Sequence, residues 1–206
     1  WAQLANMGNQ AKEVLGVDEL EAVADRGYYS GEEIKACDDA GIKVTLPKPI
    51  TSGAKSKGRF GKQDFAYLAD KDLYRCPAGQ QLSYHHTVRD GEQRFGRYWT
   101  NACGQCELKP RCTTAKRRVI SRWENEDVLE AVQERLDRNP DAMRTRREVV
   151  EHPYGTIKMR MGATHFLCKR LPMVATEMAL AVMTYNLTRV INIVGVKELI
   201  KEIQSA

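Results

Sequence analysis

Residues 147–158 read Arg-Glu-Val-Val-Glu-His-Pro-Tyr-Gly-Thr-Ile-Lys. On a helix, Arg147, Glu151 and Lys158 fall at i, i+4 and i+11. Four residues make about one turn and eleven about three, so the three side chains share one face. A carboxylate flanked by two fixed cations makes a poor core face. It suits a place where the carboxylate ligates a hard metal ion while the cations meet phosphate oxygens. The same spacing also serves a solvated helix held by i, i+4 ion pairs, and spacing alone does not choose between them.

A second constellation is made of cysteines: Cys76 in Cys-Pro-Ala-Gly, then Cys103-Gly-Gln-Cys106, then Cys112. A Cys-x2-Cys with glycine inside lets two thiolates turn toward one ion, and Cys76 and Cys112 can complete a four-thiolate shell. Zinc suits such a shell and would hold together hairpins with little core of their own. An iron–sulfur cluster uses the same donors, His85 or His86 could replace one cysteine, and four reduced thiols around a small apolar patch is the plainer alternative. Cys37 and Cys168 read as packing residues.

Asp25 is the third candidate. It ends the run Leu20-Glu-Ala-Val-Ala24, which reads as a buried strand, and Arg26-Gly-Tyr-Tyr29 follows as a loop. The C-terminal end of a strand is where open α/β sheets place ligands and chemistry. A turn aspartate capping nearby amides is the other use of that position.

The elements that must position these residues follow from periodicity. Leu4, Met7, Ala11, Val14 and Leu15 recur at helical spacing before Gly16. Ser30 with Glu33 reads as a capping box opening a helix to about Ala40. Residues 42–46 form a second strand, stopped by Pro47 and Pro49. This order predicts an α/β unit of parallel strands with a crossover helix. Residues 51–62 make a Gly-, Ser- and Lys-rich basic loop able to touch a nucleic-acid backbone or to serve as a solvated linker. Phe65, Tyr67, Leu73 and Tyr74 flank Asp70-Lys-Asp72 and predict a hairpin. Further strands are expected at Arg94–Thr100 and around Val119-Ile120. Val128, Leu129, Val132 and Leu136 predict an amphipathic helix broken at Asn139-Pro140. The next helix carries Glu151, and Pro153 predicts a kink or an end just after it. Residues 172–193, rich in Met, Ala, Val and Leu, predict a buried helix packing on the sheet. Residues 196–203 predict a short frayed helix. The resulting division is 1–50, a β-rich insert over 51–122, and 123–206.

The 206 residues carry 32 Lys and Arg against 27 Asp and Glu, a net charge of +5. That mildly basic balance permits a nucleic-acid partner without demanding one. The charge is uneven: residues 139–170 hold seven Lys or Arg against three acids, a positive field on the element that carries Glu151. No apolar run reaches about 18 residues free of charge, which excludes a simple membrane span. Six cysteines without a secretory pattern point to a reducing compartment. The chain opens at Trp1 directly into helix-like sequence, so an upstream part is expected.

Ala24-Asp25-Arg26-Gly27-Tyr28, followed after the β-rich stretch by Arg147-x3-Glu151-x6-Lys158, resembles the DDE transposases of bacterial insertion sequences. The subgroup is the one whose last carboxylate sits in a Y-x2-R-x3-E-x6-K signature, and the cysteine-bearing insert looks like one branch of it. The resemblance spans roughly Leu4 to Gly195. It implies an RNase H-like α/β core, here incomplete and lacking its first strands, with a metal-stabilised β-rich insert. It implies three carboxylates and two Mg2+ ions, with Asp25 as the second aspartate and Glu151 as the glutamate. Glu148 ranks behind Glu151. Arg147 and Lys158 become phosphate contacts, joined by Arg144, which stands where the signature has tyrosine. The family's first aspartate is expected upstream of Trp1, so these residues alone are expected to be inactive.

The implied reaction is hydrolysis of a phosphodiester at the element's ends, then attack of the freed 3′-hydroxyl on target DNA. The implied partner is DNA, with a homodimer in the active complex, no membrane, and a cytoplasmic, nucleoid-associated location. Two rivals remain: a non-catalytic nucleic-acid-binding module built on the cysteines, and a degenerate remnant.

Overall fold

The computed structural model describes residues 3–49 and 53–205. Thr51 and Ser52 of the basic loop, and Trp1, lie outside the described residues. The chain divides into two compact units, residues 1–140 and 141–206.

In the first unit, α1 (Leu4–Leu15) ends where Gly16 takes a left-handed conformation with φ 64°, as a residue without Cβ readily does. β1 (Leu20–Val23) and β2 (Ile42–Thr45) pair in parallel, Leu20 opposite Ile42 and Val23 opposite Thr45. α2 (Gly31–Asp39) is the crossover between them. Ser30 is its N-cap, but its hydroxyl makes no capping bond. Glu33 instead reaches the start of α1, accepting from Ala5 N at 3.0 Å. The expected capping box is therefore replaced by a tie between helices.

α3 (Glu126–Arg138) completes this layer. Its Val128 and Val132 join Leu4, Ile34, Cys37, Ile42, Val44 and Leu46 in one core. Each large aliphatic side chain buried there contributes about 1.5–3 kcal/mol of transfer free energy. A Cβ on Gly8 would stand 2.9 Å from Ile42 Cδ1, so glycine lets α1 lie close on the sheet. Arg135 Nε donates to Val44 O at 3.0 Å and fastens α3 to β2.

Between β2 and α3 lies an antiparallel sheet of five strands in sequence order: β3 (Ala66–Leu68), β4 (Leu73–Arg75), β5 (Gln81–Asp90), β6 (Gln93–Trp99) and β7 (Val119–Trp123). Its core is Phe65, Tyr74, Leu82, Tyr98 and Ile120. The β3–β4 turn is held by Asp72, at φ 46°, whose Oδ1 accepts from Tyr67 Oη at 2.9 Å and Tyr98 Oη at 2.6 Å. Arg122 stacks over the Tyr67 ring, 3.7 Å from its centroid. It also donates two hydrogen bonds to Glu130 of α3, at 2.5 and 2.9 Å.

The second unit consists of α4 (Ala142–Met159), α5 (Leu171–Val194) and α6 (Val196–Ser205). α4 runs through Pro153 without ending, so of the expected kink or end, the end does not occur. α5 forms as expected but is not a buried helix: Leu171 is 85% exposed, Ile193 72% and Met183 59%. Among its described residues the unit contains three helices and no strand, so its long apolar side chains find no sheet within it. Among the described residues no single helix is long and apolar enough to cross a membrane; α5 and α6 pass such a test only as a pair bent by 107°.

Candidate functional site

Asp25 stands two residues beyond β1, with extended backbone, and caps a short 3-10 turn over Arg26–Tyr28. Its Oδ1 accepts from Arg26 N at 2.8 Å. The residue is exposed, so its carboxylate is both a turn cap and open to solvent at the C-terminal edge of the parallel pair. The turn-cap use of this position is the one the hydrogen bond shows.

Glu151 lies in the second unit, in the middle of α4. Because the helix continues to Met159, Arg147, Glu151 and Lys158 fall within about 40° of one another around its axis at 3.6 residues per turn. Arg147 Nε is 3.9 Å from Glu151 Oε1, with the two side chains 71% and 62% exposed. At that exposure the pair adds little stability. What it supplies is an exposed carboxylate kept beside a cation. Arg144 is engaged locally, 3.4 Å from Asp141 and 3.9 Å from Glu148. Glu148 is thus tied to Arg144 rather than to Arg147. Tyr185 Oη of α5 stands 3.5 Å from His152 Nδ1, beside Glu151 in sequence.

The four insert cysteines line one small cavity of about 30 Å3, with Phe60, Phe65 and Leu82 on its walls. Turns bring them there: Gly79, at φ 77°, donates to Cys76 O at 2.8 Å, Lys109 N donates to Cys106 O, and Cys112 N donates to Lys109 O. Burial raises the Cys112 thiol above its ordinary value, Arg118 opposes the shift, and the Cys103, Cys76 and Cys106 sulfurs add to it. Arg118 also lines the cavity, and its Nε is buried without a hydrogen-bond partner among the described residues.

Four soft donors and an unsatisfied cationic donor suit a thiolate centre in chemistry. In geometry the centre is not closed: among the described residues no group of three or more His, Cys, Asp or Glu is already arranged to hold a metal ion. His85 and His86 do not line this cavity, which corrects their reading as substitute ligands. The His85 ring stacks on Trp99 at 3.6 Å, and His86 meets the same ring edge-on. Cys37 is a core residue whose thiol burial raises to about 11. Cys168 belongs instead to a turn whose Leu167 and Cys168 amides donate to Glu177.

One group of charged residues escaped sequence reasoning. Glu126, the first residue of α3, is 7% exposed. It accepts from Trp123 N at 3.1 Å, lies 2.7 Å from Lys62 Nζ and 4.0 Å from Lys48 Nζ. By type and position it is an ordinary acidic first-turn residue. The only available signal was a lysine at every seventh position, 48, 55 and 62, through the loop that faces it.

A family model described as "Transposase DDE domain" matches residues 75–191, more than half of the chain. The match takes in the four cavity cysteines and all of Arg147, Glu151 and Lys158, and begins downstream of Asp25. No curated protein and no solved structure matches.

Proposed function

This chain belongs to the transposase DDE-domain family, and from that premise we propose that it carries two of the metal-binding carboxylates of a bacterial insertion-sequence transposase. Its partner is DNA. In the proposed reading Asp25 and Glu151 serve one divalent-ion centre of an RNase H-like core, with Mg2+ as the ion. Both carboxylates are exposed oxygen donors, which suits a hard cation that keeps part of its water shell. Bound there, such ions stabilise charge on the attacking and leaving oxygens of an in-line phosphoryl displacement.

The protein's own side chains hold and orient. Arg147 and Lys158 meet phosphate oxygens on the face they share with Glu151, and Arg144 adds a third cation at the start of the helix. Such contacts give affinity that falls steeply with salt and is largely indifferent to sequence. A three-carboxylate centre needs one acid more than this reading assigns among these residues, so they are expected not to turn over by themselves. The active assembly is proposed to be a homodimer acting on DNA in the bacterial cytoplasm.

The observation that carries this reading is the unbroken α4, which keeps Arg147, Glu151 and Lys158 on one solvent-facing side. It is tested by Mg2+-dependent cleavage of insertion-end DNA by the transposase that includes these residues. Glu151→Gln is expected to reduce the rate at least about a thousandfold, equivalent to several kcal/mol, with the fold retained. Near-normal cleavage by that variant would refute it.

The cysteine cavity is proposed to hold one structural Zn2+ through Cys76, Cys103, Cys106 and Cys112, with Arg118 offsetting the thiolate charge. It also favours a second reading, a non-catalytic nucleic-acid-binding module. That alternative predicts DNA binding that survives Asp25→Asn with Glu151→Gln and collapses on chelation.

A further inference from the structure

The first unit contains a second cavity of about 520 Å3 that neither the carboxylates nor the cysteines use. That size falls in the range that holds a small organic ligand, about 300–1,000 Å3. Topology fixes its place. β1 and β2 run parallel, so Asp25, just past β1, and Leu46 and Lys48, just past β2, leave the same sheet edge. Leu46 and Lys48 form one wall of the cavity, and Leu129 and Gln133 of α3 form another.

Its charges are unevenly matched. Lys48, Lys55 and Lys62 line the cavity together with Glu126 and Glu130. Glu130 is already held by Arg122 through two hydrogen bonds. Glu126 is held by Lys62. Lys48 stands 4.0 Å from Glu126, beyond hydrogen-bond reach, and is 54% exposed. Lys55 is exposed and has no ion pair among the described residues. Lys55 is therefore left to an anion from outside, and Lys48, whose pairing with Glu126 is long and which stands 6.0 Å from the Tyr29 ring centroid, can share it. Behind them the wall is apolar and aromatic, with Tyr29 half-buried beside Leu46 and Leu129. Burial raises the Tyr29 hydroxyl to about 12, so it stays a neutral hydrogen-bond donor at physiological pH. The Gln133 and Gln63 amides add donors and acceptors.

We infer that this cavity takes a single nucleotide unit, its phosphate on Lys48 and Lys55 and its base against Tyr29 and Leu129. Ammonium groups meet the phosphate charge, the Tyr29 and Leu129 side chains meet the base face, and side-chain amides meet the base edge. The assignment of that nucleotide to a DNA strand passing Asp25 rests on the transposase reading. The site itself does not.

The test is calorimetric titration of the whole chain with thymidine 5′-monophosphate, thymidine, inorganic phosphate and a thymidine tetranucleotide. The mononucleotide is expected to bind saturably at one site, with nucleoside and phosphate each at least about tenfold weaker. Lys48→Ala with Lys55→Ala, both on exposed side chains, is expected to weaken binding at least about tenfold. Absence of saturable binding by the unmodified chain, or unchanged binding by the double variant, would overturn the site. A tetranucleotide at least about tenfold tighter than the mononucleotide supports the strand; equal affinity overturns the strand and leaves a free-nucleotide site. Asp25→Asn separates the two levels, because nucleotide binding should persist in it even if the cleavage reading fails.

Discussion

Lys62 and Glu126 form a 2.7 Å ion pair in which the carboxylate side chain is 9% exposed and the lysine 36%. Burial pushes both groups toward neutrality. For Lys62 it prevails, and the ammonium sits below its ordinary value. For Glu126 the charge and hydrogen bond of Lys62, the Trp123 amide and Lys48 together outweigh burial, and the carboxyl sits below its ordinary value of 4.5.

The sign of the pH dependence follows. Glu126 has a folded value below its unfolded one, so its stabilisation is complete above about pH 4.5 and is lost as pH falls through the folded value. Thermal melts across acid pH should show the first unit losing stability there, and Glu126→Gln should flatten that slope. Lys62→Met leaves the buried carboxylate with only the Trp123 amide and the more distant Lys48, and is expected to cost about 3 kcal/mol. Adding Glu126→Leu should recover a large part of that loss in a denaturant titration.

Asp72 gathers two tyrosine hydroxyls at one oxygen, with Tyr98 nearly buried. Tyr98→Phe removes a hydrogen bond to a charged acceptor and should destabilise the sheet by about 1.5–3 kcal/mol. Tyr67→Phe, at a more exposed hydroxyl, should cost less. Equal and negligible losses in both would mean that the Asp72 turn holds without them.

Pro153 sits inside α4, where its missing amide deprives the preceding turn of a hydrogen bond and its ring crowds that turn. An interior proline costs about 3 kcal/mol relative to alanine. Pro153→Ala should therefore raise the helix content and thermal stability of the second unit. A drop in cleavage by this more stable variant would assign the proline a role in setting the direction of Glu151.

The cysteine cavity makes a metal-content prediction. The purified chain should carry about one equivalent of zinc, and Cys112→Ser should lose it together with part of the near-ultraviolet signal of Tyr74 and Tyr98. Structural zinc contributes folding free energy outright, so a chelator should lower the melting temperature of the unmodified protein and not that of the variant. Full stability without bound metal would reduce the four thiols to packing.

Local signals made much of the frame legible. Gly16 marks the end of α1, Pro47 and Pro49 close the strand that begins at Ile42, and Asp70-Lys-Asp72 marks a turn between strands. β5 was not recognised, because Ser83, His85, His86 and Thr87 expose polar side chains and leave little apolar alternation to read. α5 was recognised as a helix and misread as buried: composition reports that a helix is apolar, not that a surface exists to cover it. The cysteine spacing pointed to a cluster, and the fold brings all four to one cavity. The Lys62–Glu126 pair was invisible because its partners lie far apart in sequence and meet only where α3 closes over the end of β2.

The most direct test of the central claim is iron-mediated backbone cutting. Fe2+ substituted for Mg2+ in the transposase, with ascorbate and peroxide, cleaves peptide bonds beside its ligands. The account predicts cuts near both Asp25 and Glu151, with both sets lost in Asp25→Asn and both lost in Glu151→Gln. Cuts near one residue alone, or cuts near Asp25 that persist in Glu151→Gln, would contradict it.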